Sequence, residues 1–409
     1  MLVGYAVTMP HSAKTAGDVI PAGMQRPDYG GGGIVNLMSS IGAGRGAAAV
    51  AYPSLQLLDE IPLSRYRTVL LVLIDGLGYE YLRRDWPDST IATHLRGPMT
   101  SVFPTTTAAA ITTILTGLAP AQHAITGWHV WFQEIRTLAA VLPFRSRGGH
   151  ESLQARGFDP ATVLDARPIY PRLDVDSHVI SPKRIAHSPF NTAFSAGAKI
   201  HGYDGLDQFF KNITDVVHAD SAEKYIYAYW SDLDHVAHQY GVGSDETRNH
   251  FREIDTGFAQ LLSDLDNSDT LVLLTADHGF IDTTPATRIN LEDHVPLTAM
   301  LDIPLCGEPR AAYCYVHAGE ERAFEAYVGA ELADSACAIP SKQLMEMGLF
   351  GPGKPHPKLK ERIGGQTLLM QDNFIIQDKL PGEKRSALIG VHGGLTTEEL
   401  YVPLVLVET

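Results

Sequence analysis

The chain has 409 residues, 44% of them apolar, and a formal net charge of -15 from 32 basic and 47 acidic side chains. This apolar content suffices for a large folded core and excludes general disorder. The acidic balance argues against binding of a nucleic-acid polymer or an anionic membrane surface, whereas it is compatible with carboxylates gathered around cations.

No export, membrane or disulfide signal stands out in the sequence. The first thirty residues lack a basic segment followed by an apolar run, and no apolar stretch approaches the roughly 18 residues that span a bilayer. We therefore expect a cytoplasmic protein. The three cysteines, Cys306, Cys314 and Cys337, are odd in number and lack CxxC spacing, so we interpret them as buried thiols.

The N-terminal region is rich in Gly, Ala and Pro, and we expect residues 1–64 to form an arm or loops over a main domain at 65–409. A short helix is predicted at 35–41. The four glycines at 30–33 lack the GxxxxGK[ST] pattern that cradles phosphates, so a flexible turn is the better interpretation.

Four apolar runs predict the strands of a sheet. They are TVLLVLI at 68–74, YIYAYW at 225–230, TLVLLT at 270–275 and YVPLVLV at 401–407. Unbroken apolar runs are typical of strands covered on both faces. A polar amphipathic helix at about 245–265 separates the second and third runs, and strand, helix, strand is the crossover unit of a parallel sheet. These patterns predict an α/β fold.

A threonine-rich segment at 104–116, PTTTAAAITTILT, is closed by Gly117. It predicts a helix that starts near Ala108, with the hydroxyl of Thr107 at its N-terminus. The unpaired amides of a helix start favour an alkoxide or a bound phosphate. Thr107 could alternatively be only an N-cap.

Three predicted strands are each followed by aspartates: Asp75 after the first, Asp232 and Asp234 after the second, and Asp277 after the third. The carboxyl ends of parallel strands lie at one edge of the sheet, so these side chains are expected to converge. Each could singly be an N-cap. Three together, with His238 and His278 nearby, are poorly explained by capping.

Carboxylates and imidazoles without thiolates suit zinc or manganese in a catalytic site. Asp234 and His238 are four residues apart and face the same way on a helical turn. His392 lies between glycines in GVHGGLT. About seven ligands are too many for one tetrahedral ion and fit two ions about 3.5 to 4 Å apart.

The ordered motifs DG, PTTT…TG…P..H, D…H, DHG and HGG resemble those of the alkaline phosphatase superfamily. Within it, the chain is most similar to the type I phosphodiesterase and nucleotide pyrophosphatase branch. The resemblance implies an alkaline phosphatase-like three-layer core with a mostly parallel central sheet flanked by helices. It also implies cap insertions, which we place at about 130–220 and 283–385.

The resemblance further implies two metal sites, with zinc expected and manganese as the alternative. The ligands carried over are Asp75, Asp277, His278 and the nucleophile Thr107 for one ion, and Asp234, His238 and His392 for the other. The implied reaction is hydrolysis of a small phosphate ester or nucleotide through a phosphothreonine intermediate. The alternatives are a phosphomonoesterase or phosphonate hydrolase with the same site, or an inactive metal-binding member.

The resemblance departs at Ala110, where many members carry an asparagine that we expect to help hold a phosphate oxygen. We therefore expect another contact to the phosphoryl group, from an Arg or Lys of 140–190 or from Lys354 or Lys358. His123, in PAQHAITG, is interpreted as structural rather than as a ligand.

Overall fold

The structure, a computed structural model, describes residues 20–383 and 387–409. Residues 1–19 of the predicted N-terminal arm therefore lie outside the described residues. The strands of the described part are β1 (Thr68–Ile74), β2 (Leu95–Thr100), β3 (His129–Phe132), β4 (Thr137–Ala140), β5 (Arg145–Ser146), β6 (Asp176–Pro182), β7 (Lys199–Tyr203), β8 (Lys224–Trp230), β9 (Thr270–Thr275), β10 (Ile281–Asp282), β11 (Arg288–Asn290), β12 (Cys306–Glu308), β13 (Ala311–Cys314), β14 (Ala336–Pro340), β15 (Gln366–Met370), β16 (Ile375–Gln377), β17 (Gly390–Val391) and β18 (Tyr401–Glu408).

Among residues 20–383 and 387–409, seven α-helices have more than six residues, and α11 is the longest of them. In chain order the helices are α1 (Ile34–Gly44), α2 (Tyr79–Asp85), α3 (Thr90–Thr93), α4 (Thr107–Thr116), α5 (Pro120–His123), α6 (Pro160–Val163), α7 (Lys183–Ala186), α8 (Pro189–Phe194), α9 (Leu206–His218), α10 (Asp232–Tyr240), α11 (Asp245–Asp264), α12 (Val295–Ala299), α13 (Glu321–Glu331), α14 (Ser341–Glu346), α15 (Leu359–Arg362) and α16 (Thr397–Leu400). In the part of the chain that the structure describes, none of them is both long and apolar enough to cross a membrane.

The central sheet has seven strands in the order β2-β18-β9-β1-β8-β6-β7. The strands from β9 to β7 are parallel, and β18 runs antiparallel to both of its neighbours. Every residue of β1, β8 and β9 is buried, which requires cover on both faces of the sheet. The predicted α/β class with a mostly parallel central sheet flanked by helices is confirmed.

The strongly apolar strands were predictable to within a residue or so, because each run is bounded by polar residues. β1 and β9 have the predicted bounds, and β8 begins one residue earlier, at Lys224. The predicted helix at 35–41 extends over Ile34–Gly44, and most of its residues are buried.

The segment 130–220, where we place a cap insertion, also contributes β6 and β7 to the central sheet. Their sequences, DSHVISP and KIHGY, mix polar residues and proline or glycine with few apolar ones. Neither pattern predicts a strand on its own.

A second seven-stranded sheet has the order β14-β15-β13-β12-β3-β4-β5. Its strands come from both segments predicted to hold cap insertions, and β12 joins them by pairing with β3 and β13. The division into core and cap stays a prediction. Two of the cysteines, Cys306 and Cys314, are buried in this sheet, whereas Cys337 is half-buried, and all three are free.

Candidate active site and metal centre

The site lies at the carboxyl edge of β1, β8 and β9. In the parallel register Ile74 stands beside Trp230, and Leu73 stands beside Thr275. The three strands therefore end together, and the segments that follow them deliver their polar side chains to the same place.

Thr107 is the first residue of α4, and only 8% of it is exposed. Gly117 ends the helix in the left-handed conformation, with φ of 67°, which suits glycine. The Thr107 hydroxyl oxygen lies 3.1 Å from Nε2 of His278. The predicted hydroxyl at a helix start thus meets one of the predicted ligands.

Asp75 and Asp277 form one group with His278. Nε2 of His278 lies 3.5 Å from Oδ1 of Asp75 and 3.4 Å from Oδ2 of Asp277. Neither of these two carboxylate oxygens has a hydrogen-bond partner, although both are buried. The other oxygen of each is fixed: the Tyr229 hydroxyl donates to Oδ2 of Asp75, and the amide of Gly76 donates to Oδ1 of Asp277.

Asp234 forms a second group with His238 and His392. Its Oδ1 lies 3.4 Å from Nε2 of His238 and 3.8 Å from Nε2 of His392, and it too is buried without a hydrogen-bond partner. The rings of His278 and His392 stack with 3.7 Å between their centroids. The two groups are therefore immediate neighbours.

All three imidazoles are oriented by backbone carbonyls. Nδ1 lies 2.7 Å from the Gly390 oxygen in His238, 3.1 Å from that of Gly279 in His278 and 3.0 Å from that of Thr105 in His392. Because a carbonyl only accepts, the proton belongs on Nδ1 and the lone pair on Nε2. This is the arrangement by which metal-binding histidines are aligned.

The donor set fits divalent cations. Two sets of three side chains offer ligand atoms within 4.8 Å of one another: Asp75, Asp277 and His278, and Asp234, His278 and His392. Buried carboxylate oxygens that lack partners are costly unless a cation or donor satisfies them. His238 belongs to neither set, although its Nε2 is near Asp234, so its role as a ligand stays a prediction.

The charges of the cluster also favour a cation. Burial, followed by the neighbouring carboxyls of Asp277 and Asp234, raises the pKa of Asp75 well above its ordinary value. Burial likewise raises the pKa of Asp234. Burial and the other two imidazoles lower the pKa of His392. A positive ion offsets the repulsion between such carboxylates.

A cavity of about 460 Å³ opens beside Thr107. Its walls are mainly apolar and aromatic, with Ile111, Leu115, Trp128, Leu142, Phe190 and Tyr227 among the lining residues. The Tyr227 hydroxyl is buried and has no hydrogen-bond partner. The cavity can therefore accept an organic group beside Thr107.

Among the cationic candidates for a further phosphoryl contact, Arg184 lines this cavity. Its guanidinium donates to the Ser231 hydroxyl at 2.9 Å and to the Asp232 carboxylate at 3.2 Å, and its side chain is 60% exposed. Lys358 instead pairs with Glu134 at 2.6 Å.

Two groups near the site have no motif that predicts them. Tyr229 is the next-to-last residue of the apolar strand β8, where a tyrosine usually packs in the core, but its hydroxyl donates to Asp75. Glu308 accepts hydrogen bonds from residues far away in the chain, the Thr106 hydroxyl and the Trp128 amide. Tyr229 lies on the predicted strand, five residues before Asp234, and only this position could have suggested its role.

His123 is not a ligand in this arrangement. Its Nδ1 accepts from the Ile125 amide at 3.0 Å, and its Nε2 lies 3.1 Å from the Thr113 hydroxyl. The ring is buried and joins α4 to the loop that follows it. These contacts agree with the predicted structural role.

Comparison with known proteins connects this arrangement to one family. The model of the type I phosphodiesterase / nucleotide pyrophosphatase family matches residues 69–394. No curated protein sequence matches significantly.

Several solved structures share the fold. Murine ectonucleotide pyrophosphatase / phosphodiesterase 5, an inactive variant in complex with AMP, is 18% identical, with a TM-score of 0.61 over 82% of this chain and 87% of that chain. Phosphonoacetate hydrolase from Sinorhizobium meliloti 1021, in complex with phosphonoformate, is 17% identical, with a TM-score of 0.61 over 84% and 90% of the two chains. At these identities the likeness shows the fold alone.

Proposed function

The chain belongs to the type I phosphodiesterase / nucleotide pyrophosphatase family, and from this premise we propose that it hydrolyses small phosphodiesters or nucleotides through a phosphothreonine at Thr107. Membership of the family makes it a phosphoric ester hydrolase. The observation that carries the proposal is the Thr107 hydroxyl at a helix start, 3.1 Å from His278 and next to buried carboxylate oxygens without partners.

Two divalent ions are part of this proposal, zinc in the first place and manganese as the alternative. Asp75, Asp277, His278 and Thr107 would hold one, and Asp234, His238 and His392 the other. When bound, such ions lower the pKa of a hydroxyl and neutralise charge on phosphoryl oxygens.

Thr107 carries the covalent chemistry. Its deprotonated Oγ attacks phosphorus, the new P–O bond forms as the bond to the leaving alcohol or phosphate breaks, and the leaving group takes a proton from water. A water molecule then attacks the phosphothreonine, and the Thr107 hydroxyl is released. Two displacements in line retain the configuration at phosphorus.

The cavity favours a phosphodiester or a nucleotide over a phosphate compound that has no large organic substituent. A phosphoryl group bound at Thr107 has one substituent beside Ile111 and Tyr227, and aromatic walls suit a flat ring. The alcohol or phosphate on the opposite side leaves. AMP, a nucleotide, is bound by the inactive murine relative.

A phosphomonoesterase or phosphonate hydrolase with the same seven residues is the alternative. Arg184 favours this alternative, because its guanidinium at the edge of the cavity could bind an anionic substituent such as a carboxylate. The bacterial phosphonoacetate hydrolase shares the fold.

Initial rates decide between these activities. The protein, loaded with zinc or with manganese, is given a nitrophenyl phosphate monoester, the matching diester, a dinucleotide and phosphonoacetate, each against a metal-only blank. We expect the diester or dinucleotide to be turned over fastest. Faster turnover of the monoester or phosphonoacetate selects the alternative, and rates equal to the blank for all four contradict a hydrolase. The cytoplasmic location stays a prediction.

A further inference from the structure

Glu308 connects the second sheet to the start of α4. It is the last residue of β12, and only 7% of it is exposed. One carboxylate oxygen, Oε1, accepts from the Thr106 hydroxyl at 2.5 Å and from the Trp128 amide at 2.6 Å. A single buried carboxyl therefore contacts the residue that precedes the nucleophile and a residue that lines the cavity.

Thr106 is the N-cap residue of α4, but its side chain does not make the usual capping hydrogen bond. Its backbone is extended, with φ of -137° and ψ of 146°, which is the usual N-cap conformation. A threonine there normally accepts a hydrogen bond from an amide in the first helical turn. The Thr106 side chain makes no such capping bond. In the same protein the N-cap Ser244 of α11 does accept from the Thr247 amide, at 3.1 Å.

The hydroxyl of Thr106 is turned towards Glu308 instead. The first amides of a helix have no partner within the helix and need one from elsewhere. In α4 these amides belong to the turn that begins with Thr107, where the proposed reaction places a phosphoryl group. Amides at a helix start are good donors to phosphoryl oxygens. A capping hydroxyl would compete with the substrate for one of them.

We propose that Glu308 is a positioning residue that holds the Thr106 hydroxyl away from the first turn of α4 and so leaves the helix amides to the phosphoryl oxygens of the substrate. The inference rests on the proposed function, because it assumes that the phosphoryl group is transferred at Thr107. Through the same oxygen, Glu308 also fixes the backbone of Trp128 at the wall of the cavity.

Glu308→Ala tests this role. The variant frees the Thr106 hydroxyl to cap α4, so we expect kcat/KM for the best substrate to fall by about 100-fold, at the lower end of the range seen when an oxyanion contact is lost. Inhibition by vanadate, which occupies the phosphoryl site, should weaken by a similar factor. Glu308→Gln retains an oxygen that accepts both hydrogen bonds, and we expect it to stay within about threefold of the wild type.

A double variant separates positioning from general support of the fold. Thr106→Val cannot cap the helix, so adding it to Glu308→Ala should free the amides again and recover most of the lost activity and vanadate affinity. A purely structural role predicts that the second substitution lowers both further. Absence of recovery, or a Glu308→Gln variant as impaired as Glu308→Ala, overturns the inference.

The wild-type rates keep the two proposals apart. If the wild type hydrolyses none of the phosphate esters, the proposed function fails. If it is active and the double variant does not recover, only the role of Glu308 fails. Should Glu308→Ala not fold, as judged by its thermal transition, the comparison of Glu308→Gln with a Glu308→Gln, Thr106→Val pair still applies: a loss of more than tenfold in either contradicts the inference.

Discussion

The hydroxyl oxygen of Thr107 lies 3.1 Å from Nε2 of His278, although the two residues are 171 positions apart in the chain. One comes from the first turn of α4 and the other from the segment after β9. The sheet sets this contact between two buried polar side chains, because its parallel strands end beside the N-terminus of α4. The proposed nucleophile and the proposed ligands are therefore positioned by the rigid core.

Replacement of Thr107 by alanine should abolish turnover. The variant keeps the helix, since alanine is a good helix former, but it has no oxygen to attack phosphorus. We expect kcat to fall by at least about 100-fold with the metals bound, as for removal of other covalent nucleophiles. Initial rates on the best substrate measure this.

Thr112→Ala is the matched control for that substitution. Thr112 lies in the same helix, its hydroxyl is bonded to the Ala108 carbonyl within the helix, and it does not line the cavity. We expect its activity to stay near that of the wild type. A Thr107→Ala variant that retains more than about a few per cent of the rate is incompatible with the covalent step.

The site was predictable to the extent that the three aspartates proposed as ligands follow recognisable strands. Asp75, Asp234 and Asp277 come after runs whose apolar character alone reveals buried parallel strands, and the rule for such sheets brings their ends together. The separation between atoms was not predictable, because it depends on side-chain packing.

Other features carry no local signal. Glu308 stands 202 positions from Thr106 and 180 from Trp128, so only the folded chain reveals the contact. β6 and β7 have weak strand patterns and join the sheet by pairing, β6 with β8 and β7 with β6. Pairing with neighbouring strands, rather than intrinsic strand propensity, makes β6 and β7 strands.

Asp75→Asn should stabilise the metal-free protein and destabilise the metal-loaded protein. The pKa of Asp75 is raised by burial and by the carboxyls of Asp277 and Asp234. Because a carboxyl with a raised pKa binds more protons when folded, its cost to stability grows as pH rises from the unfolded value of 3.8 towards the raised pKa. Asparagine removes that cost.

Thermal unfolding after chelation tests this prediction. Without metal, the midpoint of Asp75→Asn should exceed that of the wild type by a few degrees at about pH 8 and by less at about pH 5. Added zinc should raise the wild-type midpoint more than that of the variant, because ligand binding to the folded state stabilises it. An equal response of both proteins to zinc argues against Asp75 as a ligand.

His123 should make the protein less stable in mild acid. Burial, with Arg362 as the next contribution, lowers the pKa of His123 from 6.5 to about 3. An imidazole with a depressed pKa stabilises the folded state fully above its unfolded pKa, and this contribution is lost as pH falls below 6.5. At about pH 5 the loss is about 2 kcal/mol.

The variant His123→Asn isolates this effect because it cannot titrate. Its side-chain oxygen can still accept from the Ile125 amide, as Nδ1 does in the wild type. Denaturant unfolding at about pH 7 and about pH 5 should show a smaller change for the variant than for the wild type. Parallel pH profiles would mean that His123 binds a proton as readily in the folded state as in the unfolded state, which contradicts a lowered pKa.

Leu142→Trp should narrow the cavity beside Thr107 and so discriminate between substrates. Leu142 is half-buried and lines the cavity, so a larger side chain can extend into it without entering the core. We expect KM for an aryl or nucleotide diester to rise by about tenfold, the effect of a lost apolar contact of 1 to 2 kcal/mol. The rate on a small monoester should change little.

Leu57→Trp serves as the control for that substitution. Leu57 is also half-buried, packs near Gly97 of β2 and lies outside the cavity. The KM values of the Leu57→Trp variant for the diester and the monoester should match those of the wild type. If Leu142→Trp affects the monoester and the diester equally, the organic substituent does not bind in this cavity.

The position of β18 between β9 and β2 has a consequence for the timing of synthesis. A nascent chain that has emerged only as far as α15 already contains Thr107, Asp75, Asp234 and Asp277, but β9 and β2 have no strand between them. His392, whose ring is held by the Thr105 carbonyl, follows every other predicted ligand. Synthesis must therefore proceed beyond His392 before the proposed ligands can all come together.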